Sequence, residues 1–476
     1  MKKKLIKSLA LIMSILTIIL PLSSCAPLVF FSVMGGMLAP SSFLDKAYSS
    51  MARLDSYSSS TTLDFSMTLD GVKYKQNLVS TQLIDNTDEC TQFTSKNVLT
   101  SKITGSGNNT TTKSTQENGY CNGILYFTYK DNFGASQKIK STVTAEEYND
   151  YLNNREPSYY SATYIDVSEA TTVEVTSDGD SKQAFYSSFS DFARENYISA
   201  VLGDTWALLS EEYSIDDVEL TVKTDDDYVL QETSFVCKFS KVGKTSASLP
   251  TLSVTTTYSD IDSTVPTPPD LTKHKDVEAL LMLLVMDDAM DERIDATNGD
   301  FTMNINTELT KKTYPQKTTK SNQSSEVTYG YDDENSFTFD VDITEDKSKS
   351  SISYEDGWLT YKPNSYNSID MTDAEARIFI KKMMDPSSFS LEKISNVSVV
   401  NSEKGIYKFT FADGCADLAD VIAATVGVDC TSSNAHITAT IVDNTLTEYE
   451  FVITVYSSSY TIRTTYSFDF SITPEA

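Results

Sequence analysis

Few residues of this chain have the types and spacing that chemistry needs. There are two histidines, His274 and His436. His274 falls in a stretch that reads as a linker and His436 in one that reads as a strand. That leaves little for general-base catalysis by His or for a multi-His metal site. Besides Cys25 the cysteines are Cys90, Cys121, Cys237, Cys415 and Cys430. No pair has CxxC spacing, so no zinc ribbon is expected. Their number is odd, so at least one is a free thiol or pairs between chains. Cys415 and Cys430 flank Asp417 to Val426, which reads as a helix. About ten helical residues hold their ends roughly 15 Å apart, whereas a disulfide needs Cα atoms within about 7 Å. Cys90 with Cys121 stays open, against a buried thiol at each position. Two acidic runs, Asp225-Asp226-Asp227 and Asp332-Asp333-Glu334, lack the spacing and closing glutamate of an EF-hand and read as solvated turns. There is no phosphate-cradling glycine loop and no Gly-x-Ser-x-Gly elbow. Nothing positions a carboxylate pair for glycoside hydrolysis. The expectation is a non-enzyme with no catalytic residues, no metal and no cofactor.

One cysteine remains, and its surroundings are specific. Lys2, Lys3, Lys4 and Lys7 form a positive start, and Leu5 to Leu20 is apolar apart from Lys7, Ser8, Ser14 and Thr17. Pro21 then interrupts, and small residues follow. This is the order of a secretory signal peptide. An uncleaved transmembrane anchor is the competing reading, but Leu9 to Leu22 is short for a span of roughly 20 residues. Leu22-Ser23-Ser24-Cys25 resembles the lipobox of bacterial lipoproteins. The resemblance implies diacylglycerol on the Cys25 sulfur, cleavage before it, and a lipid-anchored protein on the extracytoplasmic side of the cell membrane. Each buried methylene contributes about 0.8 kcal/mol, and more than one acyl chain makes attachment stable. Lipoproteins commonly continue into a polar tether. Here Ala26 to Ala39 is apolar and is expected to pack on the first domain, lie in the bilayer interface or form part of a longer membrane segment.

At 476 residues the chain is too long for one ordinary core. With 40% hydrophobic and 11% aromatic residues it is globular in composition. Net charge is −29, and −33 once the four signal lysines are removed. Nucleic-acid binding and a polybasic grip on anionic lipid are both disfavoured, and the acidity suits solubility.

The elements that must position any site are read from periodicity. Pro40 opens an amphipathic helix with Ser42 as N-cap and Asp45 three residues on, its face marked by Leu44, Ala47, Tyr48, Met51 and Leu54. Leu63, Phe65, Met67 and Leu69 then alternate with polar residues as a half-buried strand, and Asp70-Gly71 is a hairpin turn. Gly105 to Thr112 reads as a polar loop. Asn122-Gly123 turns the chain into a strand, Ile124 to Tyr129. Thr144 to Leu152 and Phe189 to Leu209 read as helices. Val173 to Val175 and Ala184 to Phe185 read as strands. Val218 to Val222, Val229 to Phe239 and Leu252 to Tyr258 close an antiparallel meander. Ser263 to Asp270 is a Pro-rich linker. A very apolar helix is expected over Val277 to Met286, buried on most sides, and a strand over Phe301 to Ile305.

The second half repeats the first. At an offset of 240, Arg53-Leu54-Asp55 falls on Arg293-Ile294-Asp295, and Leu63, Phe65 and Leu69 on Met303, Ile305 and Leu309. Asn122-Gly123-Ile124-Leu125 matches Asp356-Gly357-Trp358-Leu359, and Thr144-Ala145-Glu146-Glu147 resembles Thr372-Asp373-Ala374-Glu375. Phe189 to Leu209 corresponds in order to Asp417 to Val426. Thr256-Thr257-Tyr258-Ser259 matches Thr464-Thr465-Tyr466-Ser467, with Pro266 on Pro474. A tandem duplication of whole domains is expected: signal peptide 1–24, anchor and apolar segment 25–40, domain one 41–265, linker 266–275, domain two 276–476.

The order of elements, the two hairpins with aromatic strands after them, and the Thr-Thr-Tyr-Ser strands before Pro266 and Pro474 together resemble the LolA/LppX-like superfamily of bacterial lipid-carrier lipoproteins. The resemblance implies an α+β fold in each domain: a curved antiparallel half-barrel with helices packed on its concave face. It also implies a lipid or other apolar ligand in the space between, with aromatic and aliphatic strand residues such as Phe65, Leu69, Trp358, Tyr361 and Phe451 as lining or plain core. The alternative is a surface interaction lipoprotein whose concave face is filled by bulky side chains.

Overall fold

The computed structural model describes residues 43–470, apart from 70–71, 87–90, 106–107, 133, 135, 155–166, 203–205, 207–208, 210–212, 243–247, 296–297, 332–335, 346–347, 363–367, 372, 388, 390–392, 413–417, 420–421, 424–426 and 443–444. Cys25, Ala26 to Ala39, the Ser42 cap, Cys90, Cys415 and Asp332 to Glu334 lie outside the described residues, as does much of Asp417 to Val426. The chain divides into two compact units, meeting between Lys275 and Asp276.

In the first unit the strands are β1 (Ser56–Leu69), β2 (Val72–Asp85), β3 (Gln92–Gly105), β4 (Asn108–Cys121), β5 (Ile124–Asp131), β6 (Ser136–Thr142), β7 (Ala170–Asp178), β8 (Ser181–Phe189), β9 (Tyr213–Asp225), β10 (Leu230–Lys241) and β11 (Ser248–Ser259). A two-residue strand, β12 (Lys275–Asp276), sits at one edge, and the order is β12-β6-β5-β4-β3-β2-β1-β11-β10-β9-β8-β7. In the second unit they are β13 (Gly299–Lys311), β14 (Thr318–Tyr331), β15 (Phe337–Glu345), β16 (Ser348–Glu355), β17 (Trp358–Lys362), β18 (Ser368–Asp370), β19 (Ile394–Asn401), β20 (Ile406–Phe411), β21 (Ser432–Val442), β22 (Thr445–Tyr456) and β23 (Tyr460–Asp469). Their order is β18-β17-β16-β15-β14-β13-β23-β22-β21-β20-β19. Adding twelve to each label from β1 to β11 turns the first order into the second, so the topology is duplicated strand for strand.

The α+β half-barrel with helices on its concave face is not the architecture. Among the described residues strand far outweighs helix, which places the protein in the mostly-β class as two large antiparallel sheets. The described helices are Phe43–Met51, Ala145–Asn154, Asp191–Leu202, Leu281–Asp295 and Asp373–Met384. The physical reason lies in strand length. Strands read from hydrophobic alternation end where their inner residues become polar, yet the ladder continues. Gly105 to Thr112 is the clearest case. Asn108 to Thr112 belong to β4 and pair with β3, Thr112 opposite Ser101 and Asn109 opposite Thr104. Thr and Ser suit a pleated ladder without being apolar.

Two helix boundaries also differ. Phe189 ends β8, and the described helix begins at Asp191. The second unit's first helix starts at Leu281 and runs through to Asp295, past the apolar run. Val277 and Leu280 are buried ahead of it; their hydrophobicity reports burial, which periodicity alone cannot separate from helix. The helix Ala145–Asn154 starts on a capping box. The Thr144 N–H donates to Glu147 Oε2 at 2.8 Å and the Glu147 N–H to Thr144 Oγ1 at 3.2 Å.

A shared latch marks the repeat most sharply. Asn122-Gly123 and Asp356-Gly357 have φ of 52° and 75°, and 51° and 80°, the left-handed pair of a tight hairpin turn. The preceding tyrosines do the same work. Tyr120 Oη donates to the Val143 carbonyl at 3.1 Å, and Tyr354 Oη lies 3.2 Å from that of Met371. Rows counted from this latch place Tyr120, Phe93, Ile84 and Tyr57 in register with one another, and Tyr354, Phe339, Tyr329 and Gly299 likewise. Leu63 then corresponds to Ile305 and not Met303, and Thr256 to Phe468 and not Thr464. Both slips are even, so every residue keeps its face.

Candidate functional site

The inner face of the first sheet is built by strict alternation. In β2 the buried positions are Tyr74, Gln76, Leu78, Ser80, Gln82 and Ile84. In β3 they are Phe93, Ser95, Asn97, Leu99 and Ser101, and in β4 Gln116, Asn118 and Tyr120. Cross-strand register collects them into rows. One row runs Thr256, Thr61, Ser80, Asn97, Gln116, Tyr129, Gln137. Its neighbour runs Ser59, Gln82, Ser95, Asn118. A third places Phe65, Gln76, Ser101 and Thr112 together. Apolar rows flank these: Leu63, Leu78 and Leu99 on one side, and Tyr57, Ile84, Phe93, Tyr120 and Leu125 on the other.

Two properties set this face apart. First, the inner positions of β1 to β4 carry no Asp, Glu, Lys, Arg or His, in a chain that is 22% charged. Lys73, Lys75, Lys96, Lys102, Lys113 and Glu117 alternate to the outer side. There Lys96 and Glu117 pair at 2.5 Å. Second, several buried polar atoms have no hydrogen-bond partner: Gln82 Oε1, Ser95 Oγ, both amide atoms of Asn97, Ser101 Oγ, Gln116 Nε2 and both amide atoms of Gln137. Asn97 is 2% exposed and Gln116 4%. Leaving such a group unmade costs about 1–3 kcal/mol, and folded proteins keep few of them. Thr61 and Thr256, whose hydroxyls lie 2.8 Å apart, satisfy each other at one end of the main row.

The second sheet lacks this arrangement. Counted from the latch, the row equivalent to Ser59, Gln82, Ser95 and Asn118 is Phe301, Val327, Val341 and Ile352. The next is Met303, Ser325, Ile343 and Ser350. Among the described residues, every unpartnered buried side-chain atom belongs to the first unit.

Among the described residues the two histidines and the buried thiols are not grouped with one another. His274 Nε2 lies 2.8 Å from Thr128 Oγ1, and its ring meets Tyr126 edge-on. Burial, with Lys138 and Lys140 nearby, holds its pKa below the usual imidazole value. His436 lies in β21, and burial pushes it down to about 4, helped by Lys408 and Arg463. Cys121 is a buried thiol that donates to the Phe93 carbonyl at 3.4 Å. It is a free thiol, and burial pushes its pKa up to about 11, which disfavours the reactive thiolate near neutral pH. Cys237 is buried, and Cys430 sits 3.5 Å from the Ser432 carbonyl. Asp225 accepts the N–H groups of Asp227 and Val229 on Oδ1, which closes a turn of the kind expected of that acidic run. No group of three His, Cys, Asp or Glu among the described residues is placed to hold a metal ion. No helix among them is long and apolar enough to cross a membrane.

Of the expected lining residues, Phe65 and Phe451 are buried. Trp358 and Tyr361 are not: they are 52% and 40% exposed. The side chain of Leu69 lies outside the described residues. Hydrophobic periodicity does not reveal the amide rows, because their buried residues are polar. A different signal was present. Across 92–105 and 112–118 the charges fall only on alternate positions, which marks an uncharged face even where that face is polar.

No family model matches this chain, and no curated protein does. Among solved structures, a protein of unknown function of the DUF3598 family from Nostoc punctiforme is 7% identical, with a TM-score of 0.14, over 91% of this chain and 100% of that one. The translocator domain of the autotransporter NalP from Neisseria meningitidis is 6% identical, with a TM-score of 0.12, over 88% of each chain. A putative AttH from Nitrosomonas europaea is 7% identical, with a TM-score of 0.11, over 87% of this chain and 93% of that one.

Proposed function

We propose that this protein is an exported lipoprotein, held at the extracytoplasmic side of the cell membrane by lipid on Cys25. In this reading it is not an enzyme and binds an amphiphilic ligand on its first sheet. The observation that carries the ligand reading is the uncharged inner face of β1 to β4, where rows of buried amides and hydroxyls lie between apolar rows. A face of that kind suits a ligand with both an apolar and a polar part. The anchor rests on Leu22-Ser23-Ser24-Cys25. Cys25→Ala is expected to abolish metabolic labelling with a fatty acid and to release the protein from the membrane fraction. Undiminished labelling would refute the anchor. Solvent extraction and mass spectrometry of the protein purified from its own cells are expected to show a bound amphiphile besides the anchor.

The alternative, an interaction lipoprotein with a filled inner face, is favoured for the second unit alone. There Phe301, Val327 and Val341 are buried in the rows that carry amides in the first.

A further inference from the structure

Resting on the amphiphile reading, we infer that the first sheet recognises an uncharged, hydroxyl-rich group, the neutral sugar headgroup of a glycolipid or a free oligosaccharide of the same chemistry, and that the second sheet does not. The inner face decides the charge of the ligand. An anionic headgroup buried there would meet no cation, because β1 to β4 present no Lys, Arg or His inward. An unpaired buried charge costs far more than a neutral polar group. A cationic head would likewise find no carboxylate on the inner positions of β1 to β4.

The side chains decide the hydrogen-bonding pattern. Asn97, Gln82, Gln116 and Gln137 each bring a carbonyl acceptor and two N–H donors on one planar group, and Ser95 and Ser101 bring hydroxyls. Neighbouring hydroxyls on a sugar ring both donate and accept, so one amide can serve two of them. The atoms available are those without partners: Gln82 Oε1, Asn97 Nδ2 and Oδ1, Gln116 Nε2, Gln137 Nε2 and Oε1. Thr61, Ser80, Asn97 and Gln116 lie on four adjacent strands about 4.8 Å apart, so their row spans roughly 14 Å, enough for a disaccharide. The buried apolar row Leu63, Leu78, Leu99 runs beside it. In the second unit the corresponding rows hold Phe301, Val327, Val341 and Ile352, and Met303, Ser325, Ile343 and Ser350, which offer a sugar two serine hydroxyls and no amide.

The experiment uses the full chain in detergent and native mass spectrometry. Three probes are offered separately: diglucosyl diacylglycerol, phosphatidylglycerol and the free disaccharide. Diglucosyl diacylglycerol is expected to be retained at least tenfold more than phosphatidylglycerol. The Asn97→Leu/Gln116→Leu variant is expected to lose that retention at least tenfold while melting at the same temperature or higher, since replacing unpartnered buried polar groups by apolar ones removes a penalty. Gln137→Met, at the end of the row, provides the same test should the double variant not fold. Retention of the free disaccharide, lost in the same variants, supports the inference with a soluble source of the sugar. Equal retention of phosphatidylglycerol would overturn the headgroup inference and leave the amphiphile reading standing. Retention of none of the three would overturn both, and the rows would then hold water alone. Full retention in the folded variants would show that the amides are not the binding groups.

Discussion

Removing the hydroxyl of Tyr120 tests whether the hairpin latch holds the first sheet together. Tyr120 is 2% exposed, donates to the Val143 carbonyl at 3.1 Å, and stacks on Tyr148 with ring centroids 4.1 Å apart and planes 16° from parallel. Tyr120→Phe keeps the ring and the stack and loses one buried hydrogen bond, a cost of about 1 kcal/mol. Tyr120→Ala also loses the ring, a cost of about 3–5 kcal/mol, of which the stack supplies about 0.5–1.5 kcal/mol. The matching Tyr354 differs in one respect. Its hydroxyl also lies 2.5 Å from Asp373 Oδ1, and bonds to a charged group contribute about 1.5–3 kcal/mol. Tyr354→Phe is therefore expected to cost about 1 kcal/mol more than Tyr120→Phe, each in its own unit. The chain has two tryptophans, Trp206 in the first unit and Trp358 in the second, so Trp358→Phe and Trp206→Phe backgrounds each leave one fluorescent reporter. Urea unfolding of each background reads one unit at a time. Equal losses for the two Tyr→Phe changes, or a Tyr120→Ala loss below about 2 kcal/mol, would refute the latch as a source of stability.

Two other expectations concern titration and thiol access. His436 is neutral in the folded chain down to about 4, whereas in the unfolded chain it charges near 6.5. Its folded pKa is depressed, so the unfolded state binds the extra proton, and stability is lost as pH falls from about 6.5 to about 4 and then levels off. Being half-buried, the group accounts for about 1–3 kcal/mol of that loss. His436→Gln should flatten this window in urea titrations at successive pH values, and an unchanged slope would contradict the assignment. Cys121, at 1% exposure, should resist a maleimide at pH 8 in the folded protein and react on unfolding, while half-buried Cys430 reacts earlier. Labelling of both at one rate would mean that the hairpin joining β4 and β5 opens freely.

How far these features were legible from sequence depended on which physical signal carried them. Leu63, Phe65 and Met67 announced β1 because their burial and their hydrophobicity coincide. Asn122-Gly123 and Asp356-Gly357 announced hairpins because few residue pairs accept two left-handed backbones in succession. The duplicated order of elements was readable through these turns. The fold class was not, because strand length was concealed wherever inner residues are polar, as at Gln116 and Asn118 in β4. The apolar run Val277 to Met286 misplaced a helix, since four of its residues precede Leu281. Register across distant strands, such as Thr61 with Thr256, has no local signal at all, so the rows that form the candidate site could only be assembled from the folded chain.

The duplication also bears on why the amide rows exist. Both units follow the same strand order and share the latch, so the backbone does not require polar residues at these positions. The second unit fills the two equivalent rows with Phe301, Val327, Val341 and Ile352, and with Met303, Ser325, Ile343 and Ser350, none of them an amide. Relative to that solution, each unpartnered amide or hydroxyl in the first unit lowers stability by about 1–3 kcal/mol. Had packing alone decided the matter, the same aliphatic solution was open to both. The first unit's polar rows therefore need a cause outside its own fold. A bound partner that donates and accepts hydrogen bonds there is a sufficient one, since binding to the native state alone raises stability by mass action. On this reasoning the first unit should gain thermal stability from the right ligand and the second should gain none, and the two tryptophans allow that asymmetry to be measured in one chain.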